Sequence, residues 1–353
     1  MEFIRQQVLP CYGVPQSAAI SVLGEGHINQ TYLVKSPQKS FVLQKINTDV
    51  FPKPCELVRN ATKIAQHLQL KADKGLYQLQ VISPVLTEQK QAFVDLGDGG
   101  FWRAITYLPN SHTISVVNNL EDAGNAASAF GHFSASLSDV DPDSLTDVID
   151  DFLNLSKRIE QLKLAVANDN AHRLAQCRQW VDFTLSQQVF VEHVNQLLPQ
   201  LPRRVCHNDT KINNMLFDKR DMSSMAVIDL DTCMSGYLMF DFGDMVRAFC
   251  SPEPEDSTEL SKVIARPEVI AHASQCYLSQ FEGIITPTEK NSLWIGLKAM
   301  ALMLGSRFLT DYLNGDQYFA IQRPNHNLDR AANQLTIYQS LLDQEAKLAP
   351  LFE

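Results

Sequence analysis

Val205-Cys206-His207-Asn208-Asp209-Thr210-Lys211-Ile212-Asn213-Asn214-Met215-Leu216 is the stretch from which the rest of the chain can be read. It holds H-x-D with an asparagine five residues beyond the aspartate, in a polar loop between two short apolar runs, Arg203–Cys206 and Met215–Phe217. A third run, Met225–Leu230, closes with two carboxylates in Val227-Ile228-Asp229-Leu230-Asp231. Asp and Asn are common turn formers, so either pattern alone is ordinary loop chemistry. Both together, in this order, match what phosphoryl transfer requires. The transferred group passes through a loose, charge-spread transition state, so catalysis rests on positioning and neutralisation. One carboxylate meets the acceptor hydroxyl, while an amide and a second carboxylate hold Mg²⁺ against the phosphates of ATP. On this reading Asp209 is the catalytic, acceptor-orienting base, and Asn214 and Asp229 are the magnesium ligands. Hard oxygen donors suit Mg²⁺, and the absence of a His/Cys cluster argues against zinc chemistry. His207 is read as a loop-bonding residue rather than a proton carrier. Asp231 is left open between metal contact and turn chemistry.

Upstream of this stretch the chain is strand-rich. Ala18–Leu23, Thr31–Lys35 and Phe41–Ile46 are short β-branched or aromatic runs separated by Gly, Asn, Pro and Ser. Leu57, Val58, Ala61, Ile64, Ala65 and Leu68 then fall at helical spacing. Ala92–Leu96 and Phe101–Leu108 flank Gly97-Asp98-Gly99-Gly100, a hairpin signal. The expectation is a small antiparallel sheet with one main helix over residues 1–107. Leu23-Gly24-Glu25-Gly26-His27-Ile28-Asn29 lies between the first two strands, where Gly24 and Gly26 would let the backbone close over phosphates without a Cβ obstruction. Pro109-Asn110-Ser111 breaks the strand pattern. Helical periodicity then dominates residues 108–353, with helices expected over 119–137, 157–166, 170–197, 258–283, 287–313 and 328–347. The fold class is therefore α+β, a strand-rich N-terminal part followed by a larger, mostly helical one. Ser251-Pro252-Glu253-Pro254-Glu255-Asp256 reads as a mobile surface loop, since its charge and prolines oppose regular structure.

The 353 residues exceed a single compact core. An apolar content of 45% and a charged content of 20% exclude wholesale disorder. The formal charge of -10 argues against a nucleic-acid partner. Seven cysteines, far apart and with no C-x-x-C pair, indicate a reducing, cytoplasmic location. No secretory signal is read at the N-terminus. The one membrane-like stretch, Leu293–Leu309, is interrupted by Lys298 and Arg307, whereas a span needs roughly 20 largely uncharged residues. It is expected to be a buried core helix, so no membrane partner is read, and no obligate protein partner is evident.

His207, Asp209 and Asn214 as H-x-D-x-x-x-x-N, followed by I-D-x-D at Ile228, Asp229 and Asp231, resemble the aminoglycoside phosphotransferase and choline kinase superfamily, relatives of protein kinases. Within it the chain closely resembles the bacterial N-acetylhexosamine 1-kinases. The stretches that carry this are residues 24–34, 207–214 and 228–232, with Phe-Asp-Phe-Gly-Asp (240–244), Arg-Phe-Leu-Thr-Asp-Tyr-Leu (307–313) and Gly-Asp-Gln-Tyr-Phe-Ala (315–320). The resemblance implies a bilobal protein-kinase-like fold, with nucleotide bound between the lobes and adenine at the linker Thr106, Tyr107 and Leu108. It also implies ATP-dependent phosphorylation of the anomeric hydroxyl of N-acetylglucosamine or N-acetylgalactosamine. His27, Arg307 and Tyr318 fall where the related kinases close over or contact the hexose, beside Asp209. Kinases place a lysine on the third strand, paired to a helix carboxylate. Here Gln44 stands in that register and Lys45 projects from the opposite face, unless a one-residue bulge reverses them. Glu56 is the carboxylate the following helix offers. Two alternatives stay open: another small-molecule kinase of the same superfamily, and a catalytically silent nucleotide-binding module.

Overall fold

The short apolar runs of the first hundred residues form a five-stranded antiparallel sheet in the order β1-β2-β3-β5-β4. Its strands are β1 (Ala19–Val22), β2 (Gln30–Lys35), β3 (Ser40–Ile46), β4 (Phe93–Asp95) and β5 (Phe101–Thr106). The computed structural model describes all residues except 25–27 and 118. Because successive strand residues face opposite sides, the sheet has two distinct surfaces. Val34, Phe41, Leu43, Trp102 and Ala104 form one of them and bury against Ile4, Val8, Leu9 and Tyr12 of the N-terminal helical turns Ile4–Val8 and Leu9–Tyr12. Each large side chain buried there is worth about 1.5–3 kcal/mol. Those first turns carry no strong periodicity and were not legible as an element. On the other surface Thr31, Gln44 and Arg103 lie side by side across β2, β3 and β5.

The single long helix of this part, α1 (Pro54–Asp73), buries Leu57, Val58, Ile64, Ala65 and Leu68, the residues whose spacing predicts it. The first compact unit comprises Met1–His112 together with Asp139–Asp150 and Leu216–Ser235. In it, β6 (Ser111–His112) pairs with β8 (Met215–Asp218), which lies beside β9 (Ser224–Val227); β7 (Arg204–Cys206) belongs to the second unit.

The second unit is mostly helical: α2 (Leu120–Ser136), α3 (Leu155–Asn168), α4 (Leu174–Leu185), α5 (Gln188–Leu197), α6 (Leu238–Cys250), α7 (Pro267–Leu278), α8 (Pro287–Leu313), α9 (His326–Asp343) and α10 (Glu345–Leu348). The long apolar helix α8 is expected from sequence over 287–313. It starts at a capping box between Thr286 and Glu289, and most of it is buried. Against it α6 approaches backbone to backbone. A Cβ on Gly243 would lie 2.3 Å from the Gly296 carbonyl oxygen, and one on Gly296 would lie 1.9 Å from that of Met239.

The helix α6 was not expected from sequence, 328–347 ends in the separate short helix α10, and two further segments differ from expectation. The segment 170–197 is two helices, broken where the Ser186 hydroxyl and Gln187 amide both bond the Phe183 carbonyl, at 2.7 and 3.2 Å, in competition with the ladder. Of 258–283 only Pro267–Leu278 is α-helical. Proline biases the residue before it away from helix, and Arg266 is extended, so the helix begins at Pro267.

Candidate active site

The geometry of the candidate loop starts at β7, which delivers the chain into residues 207–214. A buried carboxylate near the start of α6, Asp241, fastens that loop. Its Oδ2 accepts from His207 N and its Oδ1 from Asn208 N, both at 2.7 Å, and its carbonyl oxygen accepts from the Thr210 hydroxyl at 2.6 Å. Burial pushes the Asp241 carboxyl up to about 7, against the two N–H bonds that favour its ionised form. Asn208 takes a left-handed conformation at φ 63°, which lets the chain turn sharply before Asp209. The His207 ring is fully buried, with the edges of Phe130 and Phe133 of α2 at 5.9 and 5.8 Å between centroids. That apolar setting suits a packing residue.

Asp209 keeps 26% of its side chain exposed. Asn214, at the end of the turn Ile212–Asn214, donates its Nδ2 to the Asp209 carbonyl oxygen and to Asp209 Oδ2, each at 2.8 Å. This bonding fixes the amide so that Oδ1 is the end turned away from Asp209. Lys211 Nζ lies 3.0 Å from Asp209 Oδ1. Burial raises the Asp209 carboxyl, but the Lys211 ammonium and the Asn214 amide outweigh it and hold the group below the usual carboxylate range. Lys211 in turn is pushed up to about 12, chiefly by Asp209 and further by Asp244 and Glu255. The loop thus carries an ionised carboxylate with a charged lysine beside it. Sequence reading passed over both Lys211 and Asp241, although the position of Lys211 two residues past the aspartate was a usable signal.

The 251–256 segment is irregular, as its prolines require, but it is tied down. Arg247 donates to Asp244 Oδ1 at 2.7 Å and to Glu255 Oε2 at 2.7 Å, Asn333 donates to the Pro254 carbonyl at 3.0 Å, and His326 Nε2 lies 3.0 Å from Asp256 Oδ2.

Arg307 and Tyr318 are brought together. The Arg307 guanidinium lies 5.5, 5.6 and 5.2 Å from the ring centres of Phe152, Tyr318 and Phe319. The strand-like turn that carries Tyr318 is set by Asp311, whose carboxylate accepts from the backbone N–H groups of Gln317, Tyr318 and Phe319 at 2.8–2.9 Å. A second guanidinium, Arg158, has its pKa lowered, first by burial and then by the nearness of Arg307.

In the first unit, Asp229 stands in the left-handed region at φ 60° and opens the turn Leu230–Thr232. A non-glycine residue held there costs roughly 1–2 kcal/mol, a strain that recurs at functional sites. Asp231 is 2% exposed, and both its oxygens are used: Oδ1 by Arg103 Nη2, and Oδ2 by Asn29 Nδ2 at 2.7 Å. It is therefore a structural anchor rather than an open ligand. The register of β3 is regular from Ser40 to Ile46, so no bulge reverses Gln44 and Lys45. Lys45 lies on the same sheet surface as Trp102, with Nζ 5.9 Å from that ring's centre. Gln44 accepts from Arg103 Nε at 2.9 Å and donates to Thr31 Oγ1 at 3.3 Å. Glu56 reaches neither Gln44 nor Lys45 by an ion pair or hydrogen bond; it pairs with Arg59 on the helix surface.

Gly24 has φ 71°, and an added Cβ would meet nothing within 4 Å, so its backbone conformation alone demands glycine. Gly26 and His27 lie outside the described residues. In the linker, Thr106 N donates to the Ser83 carbonyl at 2.9 Å, and the Leu108 carbonyl accepts from Ser111 Oγ at 2.7 Å. Tyr107 has Lys35 Nζ 5.8 Å from its ring centre.

Among the described residues no group of three or more His, Cys, Asp and Glu side chains could hold a metal by itself. A carboxylate and an amide oxygen that share Mg²⁺ with phosphate oxygens need no such group. The Asn214 carbonyl oxygen, turned from Asp209 by the bonds of its own nitrogen, fits that donor set.

A profile of the phosphotransferase enzyme family matches residues 19–261. Among solved structures, a microcompartment-associated aminopropanol kinase aligns with a TM-score of 0.65 at 15% identity, over 98% of both chains. An aminoglycoside phosphotransferase from Alicyclobacillus acidocaldarius aligns with a TM-score of 0.61 at 13% identity, over 97% of this chain and 96% of that one. Plasmodium vivax ethanolamine kinase follows at 0.56 and 14%, over 92% and 84%. At these identities the likeness is one of fold, the α+β kinase-like fold.

Proposed function

This chain belongs to the phosphotransferase enzyme family, and we propose that it is an ATP-dependent kinase whose acceptor is the anomeric hydroxyl of an N-acetylhexosamine. Asp209, ionised at neutral pH, accepts the hydrogen bond of that hydroxyl and aligns its oxygen for in-line attack. The new bond joins the sugar oxygen to the γ-phosphorus as the bond to the bridging oxygen of ATP breaks. ADP leaves, and the hydroxyl proton passes to Asp209 and on to solvent. Lys211 keeps Asp209 charged and offers a cation to the oxygens of the transferred group. Asn214 and Asp229 are assigned to Mg²⁺, which when bound neutralises phosphate charge. Residues 1–107, with Gly24, Gly26, Gln44, Thr106, Tyr107 and Leu108, are assigned to the nucleotide, and residues 108–353 to catalysis and the acceptor. His27, Arg307 and Tyr318 are assigned to the sugar. All seven cysteines are free thiols, which supports a cytoplasmic location.

The observation that carries the choice of acceptor is the filling of the aromatic cluster. Phe152, Tyr318 and Phe319 are the kind of rings that cage a cationic amine, but the Arg307 guanidinium already lies over them. A positive charge there disfavours aminoglycosides and choline, while its N–H groups can donate to sugar hydroxyls or an acetamido oxygen. The fold neighbours that are an aminopropanol kinase and an ethanolamine kinase motivate the rival acceptor class, an amino alcohol. A panel of N-acetylhexosamines, free hexoses, aminopropanol, ethanolamine, choline and kanamycin with Mg-ATP separates them, with ADP release and the phosphorus NMR position of the product as readouts. An anomeric phosphate on N-acetylglucosamine or N-acetylgalactosamine is expected. Preferred turnover of an amine would refute the sugar assignment. Nucleotide binding without phosphorylation of any acceptor would favour the silent module.

A further inference from the structure

A half-buried polar chain in the first unit, with Arg103 and Asp231 at its buried centre, runs Thr31–Gln44–Arg103–Asp231–Asn29, and the mechanism above uses only Gln44 from it. Thr31, Gln44 and Arg103 are direct cross-strand neighbours, so their side chains share one sheet surface. Arg103 is 4% exposed, donates Nε to Gln44 and pairs Nη2 with Asp231. Asn29 donates to the second Asp231 oxygen at 2.7 Å and accepts from Asn47 N at 2.9 Å, which ties the end of the glycine-bearing loop to the same carboxylate. Just past the turn, Asn60 of α1 donates to the Cys233 carbonyl at 3.1 Å. The turn Leu230–Thr232 is therefore gripped from the sheet and from the helix, and Asp229, with its left-handed backbone, is the residue that opens it.

We propose that Arg103 is the positioning residue for Asp229: through Asp231 it fixes the turn that presents the metal-binding carboxylate, and Asn29, on the other oxygen of Asp231, links that turn to the end of the glycine-bearing loop. This rests on the reading of Asp229 as a magnesium ligand. The ion pair of this sheet thus stands elsewhere than the strand lysine and helix carboxylate of kinases. The cation has moved from β3 to the neighbouring strand, and its partner from α1 to the metal-bearing turn. Gln44 becomes the spacer that orients the guanidinium. A strained backbone persists only where its surroundings over-determine it, and this network is the surrounding that does so for Asp229.

The test is calorimetric titration of ADP into the full chain, once with Mg²⁺ and once with a chelator, for wild type, Arg103→Met, Arg103→Lys and Asn29→Ala. Outer partners of metal ligands typically matter by about 10–100-fold in metal affinity. Arg103→Met is expected to weaken Mg-ADP binding by about that factor and to change metal-free ADP binding by less than about threefold. Asn29→Ala, which leaves the ion pair intact, gives a smaller loss of the same metal-dependent kind and serves if Arg103→Met fails to fold. Arg103→Lys restores part of the loss. Equal weakening with and without Mg²⁺, or no weakening in a folded variant, overturns the inference. Wild-type binding that does not respond to Mg²⁺ would instead sink the reading of Asp229 on which it rests.

Discussion

Replacing Lys211 by Met should move the acid limb of the pH–rate profile upward. In the folded chain Asp209 is held below the ordinary carboxylate range although burial pushes it the other way, and Lys211 is the largest influence opposing that push. The ion pair is 3.0 Å long. Coulomb's law gives about 1.4 kcal/mol at that separation in a water-like medium and about 5.5 kcal/mol at an effective dielectric of 20. With 26% of the Asp209 and 41% of the Lys211 side chain exposed, solvent screening puts the interaction near the lower figure. The folded pKa of Asp209 is depressed, so its share of the pair's stabilisation is present above the unfolded value and fades as pH falls through the folded one. Lys211 is raised, so its share is complete below its unfolded value and fades only as pH rises towards about 12. The variant should therefore lose activity on the acid side at a higher pH than wild type does. Measuring kcat/KM for the acceptor from pH 4 to 9 at saturating Mg-ATP checks this. An unmoved acid limb, or one displaced to lower pH, would refute the electrostatic coupling.

Asp209→Asn should lower kcat by about 10²–10⁴-fold with nucleotide affinity preserved; unchanged turnover would remove Asp209 from the chemistry. Asp241→Ala leaves the His207 and Asn208 N–H groups buried and unpaired, at about 1–3 kcal/mol each. A loss of about 2–4 kcal/mol in urea unfolding, with a fall in kcat, is expected. Arg204→Met strands Glu289, which Arg204 grips with two bonds of 2.9 Å. Because Glu289 is nearly fully buried, this should cost about 3 kcal/mol, read as a drop in the denaturation midpoint.

Elements with an unmistakable period were legible from sequence: the five strands of the sheet, α1 and α8. The break at Ser186–Gln187 was not, because polar side chains there win backbone acceptors from the helix without interrupting its apolar pattern. Nor was the role of Asp231 legible. A carboxylate two residues past another stays open between metal contact and turn chemistry, and only the register of β5 reveals Arg103 waiting for it. The same holds for Asp241. It is far in sequence from the loop it fastens, and a buried aspartate inside an apolar helix gives no local sign of the two N–H groups it serves. Lys211 was passed over: its place two residues past Asp209 is in plain view, but the 3.0 Å separation that gives it meaning is not.

The meeting of Gly243 and Gly296 has a consequence for the chemistry. Asp241 rides on the same helix, two residues before Gly243, and the helices touch through main-chain atoms with no side chain between them to cushion a displacement. A single methyl group at either glycine would act as a wedge. It would slide α6 along or away from α8, carry the Asp241 carboxylate with it, and detune the loop that holds Asp209 while leaving every residue of that loop unaltered.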